Sequence, residues 1–147
     1  MRFIITTHPD ETKPQTKSDT PMSDELFMAY MRFNEDLHRA GVLVASEGLT
    51  PGTPGACIKA VSGRRKVVDG PFAESKELVG GFYVIDVPTL EDAKAWAMRC
   101  PVGMDSADVL EIRQLTAAED IPGHYLALAK EVAPTWIASI VKPRAKP

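Results

Sequence analysis

The stretch Val68-Asp69-Gly70-Pro71-Phe72-Ala73-Glu74-Ser75-Lys76-Glu77, closed by Gly80-Gly81-Phe82-Tyr83, decides how this chain is read. Gly70 and Pro71 interrupt the backbone between two strand-like segments. Asp69, Glu74, Lys76 and Glu77 then place four charges in one connection. A hairpin closes with two or three turn residues. A connection this long and this charged does more than reverse the chain. The residues after it, Phe82-Tyr83-Val84-Ile85-Asp86-Val87, are aromatic and β-branched and form a strand.

The same logic extends to both sides. Phe3 to Thr7 is a strand, and a polar loop from His8 to Met22 carries Pro9, Pro14 and Pro21. Ser23 is an N-cap, with Asp24 and Glu25 at the positive end of the helix that follows. Leu26, Tyr30, Phe33 and Leu37 recur at helical spacing and give that helix one buried face. Gly41 ends it. Val42 to Leu49 reads as a strand. Ala56–Val61 and Lys66–Val68 form a hairpin around Ser62-Gly63-Arg64-Arg65. Thr89 caps a second helix whose inner face is Ala93, Trp96 and Ala97, and Pro101 stops it. Val109 to Leu115 is the last strand. The order predicts an α+β fold with two helices on one face of an antiparallel sheet.

The quoted stretch resembles the D-G-P-F-A-E-[ST]-K-E signature of the YCII-related family, in its DGPF subgroup. Arg2–Thr7, Ala40–Leu43, Glu47–Leu49, Leu90–Ala93, Trp96–Pro101 and Glu111–Arg113 resemble the family's strands and helices in the same order. The resemblance covers roughly residues 1–116, with 117–147 as a helical C-terminal extension. It implies a ferredoxin-like, dimeric α+β barrel, in which two subunits close their open sheet faces on each other as a homodimer. In the extension, Tyr125 to Val132 is helix-prone, Pro134 breaks it, and Thr135 to Val141 forms a second short helix. Trp136, Ile137 and Ile140 are too apolar to stay in water and are expected to dock.

At 147 residues, with 44% hydrophobic and 25% charged residues, the chain has the composition of an ordinary globular domain. A net charge of -3, with basic residues scattered apart from Arg64-Arg65-Lys66 and the tail Lys142, Arg144 and Lys146, gives no reason to expect nucleic acid as partner, whose phosphates call for a larger contiguous basic footprint. No stretch approaches the ~20 apolar residues of a membrane span. The short apolar N-terminus lacks a leader's cleavage site, and the two cysteines, Cys57 and Cys100, do not form a disulfide framework. A cytoplasmic protein is expected.

Asp69 and Glu47 are the candidate catalytic carboxylates. Asp69 at the turn can serve as a general base if buried, or it can cap the Gly-Pro turn through its own backbone. Simple alternation puts Leu43, Ala45, Glu47 and Leu49 on one strand face, which leaves Glu47 partly buried and in need of a counter-ion, Lys76 or Arg113. Phe72, Glu74, Lys76, Glu77 and Arg113 are the candidate substrate-binding residues. Lys76 has a bland alternative, pairing with Glu74 or Glu77. Cys100, at a helix C-terminus, has its thiol pKa raised and is a packing residue rather than a nucleophile. His8, His38 and His124 have no metal-binding spacing, and neither metal nor cofactor is expected.

Some YCII-like proteins carry a His on the first helix and an Asp at the end of the second, read as a catalytic dyad. Here the first helix opens Ser23-Asp24-Glu25-Leu26, and Cys100 precedes Pro101, so the dyad does not transfer. Two functional classes follow. The protein binds or transforms a small molecule in a pocket lined by the quoted loop. Alternatively it is a non-catalytic accessory or regulatory module, since DGPF proteins resemble components associated with sigma-factor signalling.

Overall fold

The computed structural model describes residues 1–9, 22–49, 56–69, 79–102 and 108–141. Strand β1 (Arg2–Pro9) leads to helix α1 (Asp24–Arg39) and strand β2 (Leu43–Gly48). A hairpin of β3 (Ala56–Val61) and β4 (Arg64–Asp69) follows, then β5 (Gly81–Asp86), α2 (Leu90–Ala97) and β6 (Asp108–Gln114). A 3-10 turn at Ala118–Asp120 precedes α3 (Gly123–Val132) and α4 (Pro134–Val141). The main sheet has the order β2-β5-β1-β6, all neighbours antiparallel. This is the mixed α+β architecture the residue pattern predicts.

The helix ends form where the side chains can satisfy them. Ser23 accepts the Leu26 amide at the start of α1. Thr89 and Asp92 close a reciprocal capping box on α2. Gly41, at φ +66, takes the left-handed turn that ends α1. Both helices lie on one sheet face. Phe33 and Leu37 of α1 and Ala93 and Ala97 of α2 pack against Phe3, Ile5, Tyr83 and Ile85. Arg99 ties the helices together, joining Asp36 of α1 while its guanidinium lies 4.3 Å from the centre of the Trp96 ring.

Three local expectations are corrected. β1 extends through His8 and Pro9, because both residues pair with β6 (His8 with Val109, Pro9 with Asp108). The hairpin turn is only Ser62-Gly63, at φ 51 and 75, a pair of left-handed residues matched to strand twist, so Arg64 and Arg65 belong to β4. The register of β2 against β5 shifts between Leu43 and Ala45. That irregularity breaks simple alternation. Leu43 packs on the core, while Ala45 and Glu47 pair with Val84 and Phe82 on the opposite face. In the extension, Ile137 is buried and Trp136 is exposed; the Ile140 side chain lies outside the described residues.

The β2–β5 contact is tight where it ends. A Cβ built on Gly81 meets the Glu47 carbonyl oxygen at 3.0 Å and Gly48 Cα at 3.4 Å, both backbone atoms. Gly48, directly opposite, has open space. Gly81→Ala therefore has to separate the strands and is expected to cost ~1–3 kcal/mol. Gly48→Ala is expected to stay within ~0.5 kcal/mol. Urea unfolding of the two variants checks this, and equal losses would contradict it.

Candidate functional site

Helix α1 is divided along its length. Phe33 and Leu37, in its C-terminal half, are buried against the sheet. In the N-terminal half Phe27, Met28 and Met31 stay exposed. A cavity of about 620 Å³ opens between this half and the ends of β1, β2 and β5. Phe27, Tyr30, Met31 and Asn34 form its helical wall. Ser46, Gly48, Gly81 and Tyr83 bound it from the strands, with Thr7, Val102 and Asp108 closing other sides. Its walls are mostly apolar.

The polar groups of the cavity are few and specific. Tyr83 packs edge-on against Phe33, with centroids 5.3 Å apart at 80°. Burial pushes the Tyr83 hydroxyl above the usual tyrosine range, and the neighbouring Cys100 and Tyr30 add to the shift. Burial likewise raises Tyr30 to about 12, helped by Cys100 and by the Asp108 carboxylate. Both phenols are therefore neutral at physiological pH, able to donate and accept hydrogen bonds but not to act as phenolate bases. The Asn34 side-chain oxygen is buried without a hydrogen-bond partner. A buried orphan acceptor costs ~1–3 kcal/mol unless something binds it. Cys100 is buried and unbridged, and burial raises its thiol pKa although a backbone hydrogen bond at Val102 opposes this. It packs behind the tyrosines, as its place at the helix end implies.

The sequence-nominated residues divide into three groups. Glu47 bounds the cavity. It is exposed rather than partly buried, and the β2 irregularity puts it on the face opposite Ser46 and Tyr83. Arg113 lies on β6, at the far edge of the sheet from β2, three strand spacings or about 14 Å away. It is thus no counter-ion for Glu47; it lies 3.8 Å from Glu111, and His8 lies 3.8 Å from the same carboxylate. Asp69 ends β4, in the separate two-stranded sheet, and its side chain lies outside the described residues. So do Phe72, Glu74, Lys76 and Glu77. Sequence reasoning missed Tyr30 and Asn34 as site residues. Tyr30 was visible only as part of an amphipathic stripe, and a lone Asn next to that stripe gave no signal.

The YCII-related domain matches residues 1–118. The chain belongs to the YCII-related family. A YCII-related match of this extent takes in the whole main sheet, α1, α2 and every described residue that bounds the cavity. The chain is also 38% identical over 76 residues to an uncharacterized protein of Rhizobium meliloti (strain 1021), a match that covers 52% of this chain and 61% of that protein. Neither similarity carries a reaction. Among the described residues no cluster of His, Cys, Asp and Glu is placed to hold a metal ion, and no helix is long and apolar enough to cross a membrane.

The raised Tyr30 pKa has a consequence for stability. Folded Tyr30 keeps its proton while the unfolded chain loses it above about pH 10. The unfolded state then binds fewer protons, so stability falls as pH rises, until folded Tyr30 ionises at about 12. The contribution is fully present below the unfolded pKa. Tyr30→Phe cannot ionise, and it also removes the smaller contribution that Tyr30 makes to the Tyr83 shift, so the difference between the two proteins reports Tyr30 together with that coupling. The stability of wild type relative to Tyr30→Phe is expected to decline between about pH 9 and about pH 11. Urea unfolding along that pH series checks this; a constant difference would contradict it.

Proposed function

We propose that this YCII-related protein binds or transforms a small molecule in the cavity between the N-terminal half of α1 and the β2–β5 edge. One observation carries the reading: a largely apolar cavity of about 620 Å³ bounded by Asn34 and by two neutral phenols, Tyr30 and Tyr83. The Asp69–Glu77 loop belongs to the same proposal. Its chain leads directly into Gly80 and Gly81, which bound the cavity, and Glu47 is the carboxylate at its rim. Glu47 and Asp69 are the acid–base candidates in this reading, with Phe72, Glu74, Lys76 and Glu77 as ligand contacts. A fragment library screened by amide chemical shift mapping tests it. Binders are expected to move the amides of Gly48, Gly81 and Tyr83 and of the N-terminal half of α1. Binders that map elsewhere, or none at all, would contradict it.

The same proposal takes the chain to be half of a ferredoxin-like dimeric barrel. The sheet face away from α1 and α2 carries the half-buried Ile4, Phe82 and Val84. The β3–β4 hairpin pairs with no other strand among the described residues, and its opposed Ile58 and Val67 are 69% and 66% exposed. A lone hairpin of this kind is marginal. A second copy supplies the apolar cover both features need. Light scattering is expected to give twice the 16.0 kDa chain mass at micromolar concentration. The monomer mass at all dilutions would contradict it.

A second reading draws on α3. Tyr125, Leu128 and Val132 form an exposed apolar stripe there, 58%, 54% and 84% accessible. That stripe suits an accessory module that docks on a signalling partner, such as one in sigma-factor regulation. The fragment screen separates the readings, because an accessory module needs no ligand in the α1 cavity.

A further inference from the structure

Residues 58–67 of the β3–β4 hairpin are all exposed. Alternation gives this ribbon two unlike faces. Ile58 and its cross-strand partner Val67 share one face with Ala60 and Arg65. Lys59, directly opposite Lys66, shares the other with Val61 and Arg64. Like charges set opposite each other weaken a hairpin. Lys59, Arg64, Arg65 and Lys66 against one acid, Asp69, give Ala56–Asp69 a charge of +3, so the net charge of -3 leaves -6 on the rest of the chain. Two such ribbons repel each other, whereas the body of a second copy attracts one.

The open sheet face has a pattern that complements the ribbon. Glu47, Phe82, Thr6 and Glu111 form one row across β2, β5, β1 and β6, each the register partner of the next. The neighbouring row is Ala45, Val84, Ile4 and Arg113. Half-buried Ile4, Phe82 and Val84 therefore hold the middle of the face, and exposed carboxylates stand on both edge strands. Glu111 already has His8 and Arg113 at 3.8 Å, so Glu47 is the carboxylate better placed to attract a further cation. We propose, resting on the dimer reading above, that the hairpin of one copy docks on the open sheet face of a second copy. Ile58 and Val67 cover that copy's Ile4, Phe82 and Val84, and Arg65 meets its Glu47. Two-fold symmetry makes the contact reciprocal, each hairpin serving the other sheet.

Sedimentation equilibrium of the full chain at micromolar concentration tests this, with circular dichroism as the check on folding. Arg65→Glu and Glu47→Lys are each expected to weaken the dimer about ten-fold. Ile58→Asp is expected to weaken it at least as much. An equimolar mixture of Arg65→Glu and Glu47→Lys is expected to regain wild-type affinity, because in the mixed dimer the altered hairpin meets the altered sheet and the native hairpin the native sheet. Wild type alone is expected to dissociate more readily as salt rises from about 50 mM to about 500 mM, a readout that needs no variant to fold. A dimer that all three variants leave unchanged, or that salt does not weaken, overturns the hairpin contact and leaves the dimer standing. Weakening in both charge variants without recovery in their mixture overturns the pairing of Arg65 with Glu47. A wild-type monomer at every dilution overturns the dimer and this contact together.

Discussion

Tyr83 is the residue on which core and cavity both depend. Its ring meets Phe33 edge-on and closes the packed half of the α1–sheet interface. Its other side bounds the cavity. Without this contact α1 has no fixed height above β5 where the packing stops. Around Phe33 the stripe that buries Leu37 gives way to Tyr30 and Asn34, which bound the cavity. The helix therefore stands off the sheet at that end, and the space left is the cavity. The close approach at Gly81 brings the backbones of β2 and β5 together at its strand side. The site is thus a consequence of how the core ends, and it sits on rigid elements rather than on a loop alone.

Most of the fold was legible in the residues. Each element follows from a local signal: the Ser23 and Thr89 caps, the Gly41 exit, the break before Pro134, the β-branched runs of β1 and β5. Where the reading failed, a non-local pairing decided the outcome. His8 and Pro9 became strand because β6 offers them partners. Glu47 changed face because one irregularity in β2 shifts alternation by a residue, and period-two reasoning has no protection against such a shift.

The site was less legible than the fold, for a related reason. Helical periodicity shows which side of α1 faces inward, but it does not show how far along the helix the contact persists. Tyr30 and Phe33 look alike in an amphipathic stripe, yet one bounds a cavity and the other fills the core. The pairing of Glu47 with Arg113 was attractive in sequence because both lie in strands; the order β2-β5-β1-β6 puts them on opposite edges. The charged loop drew attention by its composition. Its residues 70–77 lie outside the described residues, whereas the cavity is bounded by uncharged residues such as Tyr30 and Asn34 whose position depends on what surrounds them.

The proposed ligand site is the space between the N-terminal half of α1 and the β2–β5 edge. A crystal structure of the protein with its tightest-binding small molecule tests that claim most directly. Ligand density is expected between Tyr83 and Met31. Density on the open sheet face, on the hairpin or along α3, with the α1 cavity occupied only by water, would contradict it.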